Sequence, residues 1–144
     1  MSDSITVSSF AGKVVLVTGS SRGIGAAIAK EFAQHGAKVV LHGRDEQAIQ
    51  EVERTIAEAG GKVMITLCDL NNFVAIETMR EQIEKNFGPV DILIANAGGS
   101  FTPPAPLEEI PEEGWRTTID GNLTTTFLTL KSFLPGMKKR GSGT

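Results

Sequence analysis

The sequence predicts a single α/β domain built on a doubly wound parallel sheet, with helices on both faces. Short runs of β-branched and other apolar residues alternate along the chain with longer segments of helical periodicity, a pattern typical of β-α-β units. Parallel strands need helical crossovers of this kind. No linker, repeat or low-complexity segment interrupts the alternation, and 144 residues suit one domain, so we expect residues 1–144 to form it.

The first β-α-β unit begins with a buried strand at residues 13–18 (KVVLVT), because its apolar residues are continuous rather than alternating. A helix is expected at residues 23–35, ending at Gly36. Residues 37–42 (AKVVLH) form the second strand. Helical spacing predicts the inner face of this helix: Ile24, Ala27, Ile28 and Phe32.

The second helix is expected to begin at Asp45 and to end at the Gly60-Gly61 pair. The third strand follows at residues 62–67 (KVMITL). Apolar residues at helical spacing again predict the inner face: Ala48, Ile49, Val52, Ile56 and Ala59.

The third helix is expected to be capped by Asn71 or Asn72 and to close at Gly88-Pro89. Residues 90–95 (VDILIA) form the fourth strand. The predicted inner face of the helix comprises Ile76, Met79, Ile83 and Phe87.

A last helical segment, from about residue 111 to residue 139, follows the Pro-rich loop 101–106. Pro111 suits a first helical turn, whereas Pro135 is expected to kink or shorten the far end. The expected strand order is 3-2-1-4, which places the carboxyl ends of the strands beside the crevice where such sheets bind ligands.

A glycine-rich turn, TGSSRGIG at residues 18–25, joins the first strand to the first helix. Glycines there let the backbone approach a pyrophosphate, and the helix start offers unpaired N–H groups and a positive dipole end. In this position the turn is a strong sign of a Rossmann-type dinucleotide site, and the Gly-Lys-Ser/Thr of a P-loop does not follow it. The alternative is a turn that only permits close packing.

The end of the second strand bears on which nucleotide binds. An acid at this place takes the ribose 2′-hydroxyl of NAD, whereas an arginine accommodates the 2′-phosphate of NADP. Here Gly43 replaces the acid and Arg44 follows, while Ser21 and Arg22 could add a hydroxyl and a second cation. The sequence therefore favours NADP(H). In the alternative, Arg44 is an exposed loop residue and Asp45 serves as the acid.

Two polar residues follow the other strands. Asp69 comes after the third strand and Asn96 after the fourth, so both are expected beside the ligand crevice. Asp69 could instead serve only as a turn or capping acid, and Asn96 could only form a turn with Ala97 and Gly98.

Taken together, these motifs resemble those of the short-chain dehydrogenase/reductase family over about residues 10–144. The resemblance rests on TGSSRGIG at 18–25, CDL at 68–70, NAG at 96–98 and Asn122 in the long helix, all in the family's order. It implies that Gly19, Gly23 and Gly25 shape the pyrophosphate turn. The backbone of Ile24 would lie near the nicotinamide.

The resemblance also implies roles for the later motifs. Asp69 would hydrogen-bond the adenine amino group, with the Leu70 backbone beside it. Asn96, Ala97 and Gly98 would lie along the cofactor ribose, and Asn96 would also steady the sheet.

Asn122 resembles the asparagine of the family's catalytic group, which holds a water in a proton relay by distorting its helix, and Gly121 fits such a distortion. The alternative is an ordinary polar helix residue. The family's catalytic serine, tyrosine and lysine have no counterparts, since the sequence contains no tyrosine and Ser142 precedes the expected next strand. We therefore expect a chain truncated before the fifth strand, inactive alone, with the edge of its fourth strand unprotected.

The expected function is hydride transfer between NADP(H) and a small-molecule carbonyl or alcohol substrate, carried out by the intact protein. A non-catalytic NADP(H)-binding module, or a truncated pseudo-enzyme, is the alternative. An S-adenosylmethionine enzyme is disfavoured, because Gly43-Arg44 replaces the acid expected after the second strand.

Composition bounds the partners and the location. A net charge of −3 does not suggest the clustered basic surface that binds nucleic acid. No stretch approaches the roughly 20 apolar residues of a membrane helix. The polar N-terminus lacks the features of a signal peptide, and Cys68 is the only cysteine, so a cytoplasmic location is expected. His35 and His42 show no metal-ligand spacing. The resemblance implies a homo-oligomer, a dimer or tetramer, through the long helix.

Overall fold

A four-stranded parallel sheet forms the centre of the computed structural model, which describes residues 9–144. The strands are β1 (Val14–Val17), β2 (Lys38–Gly43), β3 (Lys62–Leu67) and β4 (Ile92–Ile94), arranged in the order β3-β2-β1-β4. The predicted fold class and strand order are confirmed. Most of the polar N-terminal stretch considered above lies outside the described residues.

Helices cover both faces of the sheet. Helices α1 (Gly23–Gln34) and α2 (Glu46–Glu58) pack on the face that presents Val15 and Val17 of β1. Helix α3 (Phe73–Asn86) and the end of the last helix pack on the face that presents Val14 and Leu16. Because successive residues of a strand point to opposite faces, a continuous apolar strand serves two layers at once.

Two helices are capped as their sequences predict. The Asp45 side chain accepts a hydrogen bond from Ala48 N at the start of α2, and Asn72, rather than Asn71, accepts one from Ala75 N at the start of α3. Such caps satisfy amides that have no partner inside the helix. The buried residues of these helices belong to the predicted inner faces: Ile49, Val52, Ile56, Ile76, Met79 and Ile83.

The predicted inner face of α1 is partly wrong. Gly25, Ala26 and Ala29 are the buried residues, whereas Ile24 is 74% exposed and Ala27 is exposed as well. Small residues let this helix lie close to the sheet, so its contact face is rotated away from Ile24. Ile28 and Phe32 pack at the edge of this layer, as expected.

The last helical segment is continuous but irregular. It comprises α4 (Glu112–Ile119), a π-helical segment (Asp120–Thr124) and α5 (Thr125–Arg140). Pro111 lies just before α4, and the expectation that Pro135 shortens the helix is wrong, because α5 continues to Arg140. Pro135 is exposed, so water can satisfy the carbonyl that its missing N–H leaves without a partner.

The outer edge of β4 is less open than the sequence predicts. Leu93 N donates to the carbonyl of Thr144 at 2.8 Å, and Thr144 N donates to the carbonyl of Asp91 at 3.0 Å. The backbone of one residue thus pairs with the strand from the outside.

Candidate cofactor-binding site

At Gly19 and Gly25 the glycine turn after β1 has no room for a side chain. Gly19 has a φ of +64°, and a Cβ there would lie 2.8 Å from the Cα of Ala97. A Cβ at Gly25 would overlap the carbonyl oxygen of Gly19 and the amide of Asn96. The turn and the first residues of α1 are therefore in direct backbone contact, which explains why the positions are glycines.

The start of α1 differs from the starts of α2 and α3 because no side chain caps it. Its N-cap residue is Arg22, and its first turn carries no acidic residue. The first amides of the helix and the positive end of its dipole are thus available to an anion. This is the arrangement with which dinucleotide-binding folds hold a pyrophosphate.

A groove of about 440 Å³ passes over the residues that follow β1, β2, β3 and β4. Asp45, His42 and Phe101 contribute to its wall. Most of the predicted site residues also line it: Gly19, Ser21, Arg22, Arg44, Asp69, Leu70, Ala97 and Gly98. The remaining predicted residues do not: Gly23, Ile24, Gly25, Asn96 and Asn122.

A second cavity, of about 540 Å³, lies at the opposite ends of the strands, beside Gly12, Gly36 and Gly61. It contains none of the predicted site residues, so the glycine turn and the other motifs all lie at one end of the sheet.

The loop after β2 offers one cation to the groove and holds another in an ion pair. Arg44 is exposed in the groove wall, while Arg22 is paired with Asp45 at 2.7 Å. The other oxygen of Asp45 accepts the capping bond from Ala48 N at 3.0 Å. A Cβ at Gly43 would lie 3.2 Å from the Cβ of Ser21, so a larger residue would crowd the turn.

Asp69 and Leu70 follow β3. One oxygen of Asp69 accepts a bond from Asn71 N at 2.9 Å, which is the turn role considered for this residue. The other oxygen receives no hydrogen bond from the described residues, and Asp69 is exposed in the groove. The carboxylate can therefore stabilise the turn at Asn71 with one oxygen and accept a hydrogen bond from a ligand N–H with the other. Leu70 is buried beneath it.

Asn96 joins the ends of β1 and β4. Its Nδ2 donates to the carbonyls of Thr18 and Gly19, both at 3.1 Å. The hydroxyl of Thr18, which the sequence analysis did not single out, accepts from the amides of Asn96 and Ala97, each at 3.0 Å. This network holds the loop of residues 96–98 against the glycine turn.

Asn122 lies in the π-helical segment and binds the loop after β4. Its Oδ1 accepts from Gly99 N at 3.0 Å, and its Nδ2 donates to Gly99 O and to Thr118 O, both at 2.9 Å. The helix is thus distorted at Asn122, as π segments at functional sites often are. The ring of Phe101 packs on Gly121, where a Cβ would overlap it.

His42 is a site residue that the sequence analysis missed. Its Nδ1 accepts a bond from Gly19 N at 3.1 Å, and its Nε2 lies 2.9 Å from the carbonyl of Cys68. Burial, followed by the charge of Arg44, lowers the pKa of the ring, against the raising effect of the Cys68 carbonyl. The sequence offered one sign of this role: His42 is a polar residue that directly follows the apolar residues 39–41 of β2.

The chemistry open to the other groups is limited. Burial, together with the charge of Asp69, raises the pKa of the Cys68 thiol to about 11, so it is not a reactive thiolate. Within residues 9–144, no cluster of three His, Cys, Asp or Glu side chains could hold a metal ion. Over the same residues, none of the helices combines the length and apolar character that crossing a bilayer requires.

The fold and the glycine turn define a dinucleotide-binding α/β domain. A family model described as short chain dehydrogenase matches residues 13–144, and the chain belongs to this family of oxidoreductases. It is 38% identical over 132 residues to D-beta-hydroxybutyrate dehydrogenase of Cupriavidus necator, covering 92% of this chain and 50% of that protein. It is 37% identical over 134 residues to a 3-oxoacyl-[acyl-carrier-protein] reductase of Escherichia coli, covering 93% and 53%.

A solved structure gives the same result. The crystal structure of a metagenomic short-chain oxidoreductase in complex with NADP is 38% identical, with a TM-score of 0.87, and the match covers 94% of this chain and 61% of that one. The chain spans about half the length of the curated relatives that it matches. The family supports a nicotinamide cofactor in the groove.

Proposed function

We propose that the intact protein transfers a hydride between NADP(H) and a carbonyl or alcohol substrate, and that this chain supplies its cofactor-binding part. The uncapped start of α1 carries the proposal, because it lies at a glycine turn whose groove also holds Arg44 and Asp69. The groove, of about 440 Å³, is open at the strand ends, where such folds bind dinucleotides. The relative in complex with NADP supports the choice of cofactor.

In this proposal the first amides of α1 hold the pyrophosphate, and Arg44 with Ser21 contacts the 2′-phosphate. Asp69 accepts the adenine amino group, and the loop of residues 96–98 lies along the ribose. The cofactor supplies the hydride chemistry, and the chain binds and orients it. Asn122 fixes the loop that follows, through its two bonds to Gly99.

Hydride transfer also requires a proton to be given to the carbonyl oxygen, or taken from the alcohol, and other residues must do this. The 144 residues contain no tyrosine, so we propose that the family's tyrosine, serine and lysine lie outside them and that these residues alone do not turn over substrate. A homo-oligomer formed through the long helix, and a cytoplasmic location consistent with the lone Cys68, are further parts of the proposal.

The test of cofactor choice is the ratio of the dissociation constants for NADPH and NADH. We expect NADPH to bind at least about tenfold more tightly, since a charge-assisted contact with a phosphate contributes about 1.5–3 kcal/mol. Arg44→Asp should remove this preference. Arg54→Asp is the matched control, because Arg54 is exposed on α2 and pairs with Glu51 outside the groove. Equal affinities that Arg44→Asp leaves unchanged would contradict the proposal.

A non-catalytic NADP(H)-binding module is the second candidate, and the absence of tyrosine from the sequence favours it. Steady-state assays of NADPH oxidation with a panel of aldehydes and ketones distinguish the two. Turnover by the intact protein supports the oxidoreductase, whereas tight NADPH binding with no turnover on any member of the panel supports the module.

A further inference from the structure

The imidazole of His42 connects two loops that meet at the groove. Nδ1 contacts the amide of Gly19, at the start of the glycine turn, and Nε2 contacts the carbonyl of Cys68, immediately before Asp69. The residue is only 4% exposed, so water does not compete for either bond. One ring therefore bridges the segment expected to hold the pyrophosphate and the segment expected to hold the adenine.

These two contacts fix the protonation state of the ring. A backbone amide can only donate, so Nδ1 must carry a lone pair, and a carbonyl can only accept, so Nε2 must carry the hydrogen. The ring is therefore the neutral Nε2–H tautomer. A proton added at Nδ1 would face the N–H of Gly19 at 3.1 Å, with two donors opposed.

The backbone around His42 is held independently of the ring. The hydroxyl of Ser20 accepts from His42 N at 3.0 Å, and Ser20 N donates to His42 O at 2.8 Å. Ser20 is fully buried. Because these bonds already fix the end of β2, a change in the ring alters the contacts to Gly19 and Cys68 without releasing the strand.

We propose that His42 is a positioning residue for the dinucleotide, holding the glycine turn through Nδ1 and the loop before Asp69 through Nε2–H. The role rests on the proposed cofactor function. Of the two contacts, the one to Gly19 matters more for affinity, because Gly19 begins the turn that the pyrophosphate would contact. A turn released at that amide no longer presents the start of α1 in a fixed position.

Two substitutions separate the contacts. His42→Asn places its amide oxygen near the position of Nδ1 and keeps an acceptor for Gly19 N, while losing the bond to Cys68. His42→Gln places its amide near the position of Nε2 and keeps the donor to Cys68 O, while losing the acceptor for Gly19. The dissociation constant for NADPH is measured by titration calorimetry for the intact protein and both variants, with the melting temperature recorded for each.

We expect His42→Gln to weaken NADPH binding by roughly tenfold, the usual effect of leaving one buried donor without an acceptor, and His42→Asn to stay within about threefold. The ¹⁵N NMR spectrum of the ligand-free protein should show an unprotonated Nδ1 and a protonated Nε2. His35→Gln, at the other histidine, is the control for affinity.

Equal losses in both variants, no loss in either, or a spectrum with a protonated Nδ1 would overturn the role of His42 while leaving the cofactor function intact. If the wild-type protein binds neither NADPH nor NADH, the proposed function fails, and the role of His42 fails with it.

Discussion

Asp45 uses its two carboxylate oxygens for two different contacts. One carboxylate oxygen caps α2, and the other pairs with Arg22. Both side chains of the ion pair are largely exposed, so the pair adds little to stability. In the proposed complex with NADP(H), the pair holds Arg22 in the wall of the groove. Each carboxylate oxygen can accept a second hydrogen bond, so the alternative in which Asp45 also binds the ribose of NAD is decided by the cofactor affinities and not by these contacts.

His42 leads to a prediction about pH. Its pKa is lowered in the folded chain, chiefly by burial, from the 6.5 of an ordinary exposed histidine. Below pH 6.5 the unfolded chain therefore binds more protons than the folded chain, and the stability present above pH 6.5 is lost as the pH falls through the folded pKa. The loss is at most about 1.4 kcal/mol per pH unit for one group.

Melting temperatures between pH 7.5 and pH 5 check this. The wild-type protein should lose stability over this range more steeply than His42→Asn. The charged and titratable groups that line the groove together with His42 are unchanged in this variant: Arg22, Arg44, Asp45, Cys68 and Asp69. Parallel curves for the wild type and His42→Asn would show that the ring does not control this loss.

The positions of residues at the ends of the strands were predictable from sequence, and side-chain contacts between separate loops were not. The glycine turn, Asp69 and Asn96 follow from strand ends and from motif spacing. The bridging ring of His42, the hydroxyl of Thr18 and the stacking of Phe101 on Gly121 depend on which loops meet in space. No local pattern in a single sequence shows which loops will meet.

Among the elements, the strands were predicted to within two residues, while the faces and distortions of the helices were less predictable. In α1 the large apolar residues gave a wrong prediction of the buried face. The helix instead approaches the sheet through Gly25, Ala26 and Ala29, and the spacing of large apolar residues does not reveal this. In α5 Pro135 lies on the exposed side, where water can replace the lost hydrogen bond. The distortion at Asn122 was expected from family resemblance, but its extent, Asp120–Thr124, was not.

The π-helical segment gives a prediction at this scale. Asn122→Ala removes both bonds to Gly99, so the loop after β4 should open more often, and the Gly99 amide should exchange with solvent at least about tenfold faster. Hydrogen exchange followed by NMR measures this. Asn86→Ala is the control, because Asn86 also donates to a helix carbonyl, that of Gln82, and lies outside the loop after β4. Unchanged exchange at Gly99 would mean that other contacts hold the loop.

At the scale of the whole molecule, an uncovered apolar stripe runs along α4, the π-helical segment and α5. The opposite side of α5 is buried against the sheet layer through Phe133 and Met137. The stripe consists of exposed side chains at helical spacing: Trp115, Leu123, Phe127, Leu130 and Leu134. An exposed patch of this kind is typical of a protein interface.

We expect the intact protein to associate through this stripe, as the resemblance to the family implies. Phe127, which is 60% exposed, lies at its centre, and Phe127→Lys should shift the protein towards the monomer by introducing an unpaired charge. Light scattering coupled to size exclusion measures the mass. Val74→Lys is the control, since Val74 is an apolar residue on α3 that is 74% exposed and does not belong to the stripe. A mass that Phe127→Lys leaves unchanged would place the interface elsewhere.

The bare start of α1 has a consequence for how this protein can evolve or be engineered. A capping side chain at residue 22 would stabilise the free chain by about 1 kcal/mol, as the caps of α2 and α3 do for their helices. It would also occupy the donors that the dinucleotide needs, and an acidic cap would repel the pyrophosphate. Screening for thermal stability alone would therefore select substitutions that weaken cofactor binding, so residue 22 is a position to leave without a cap.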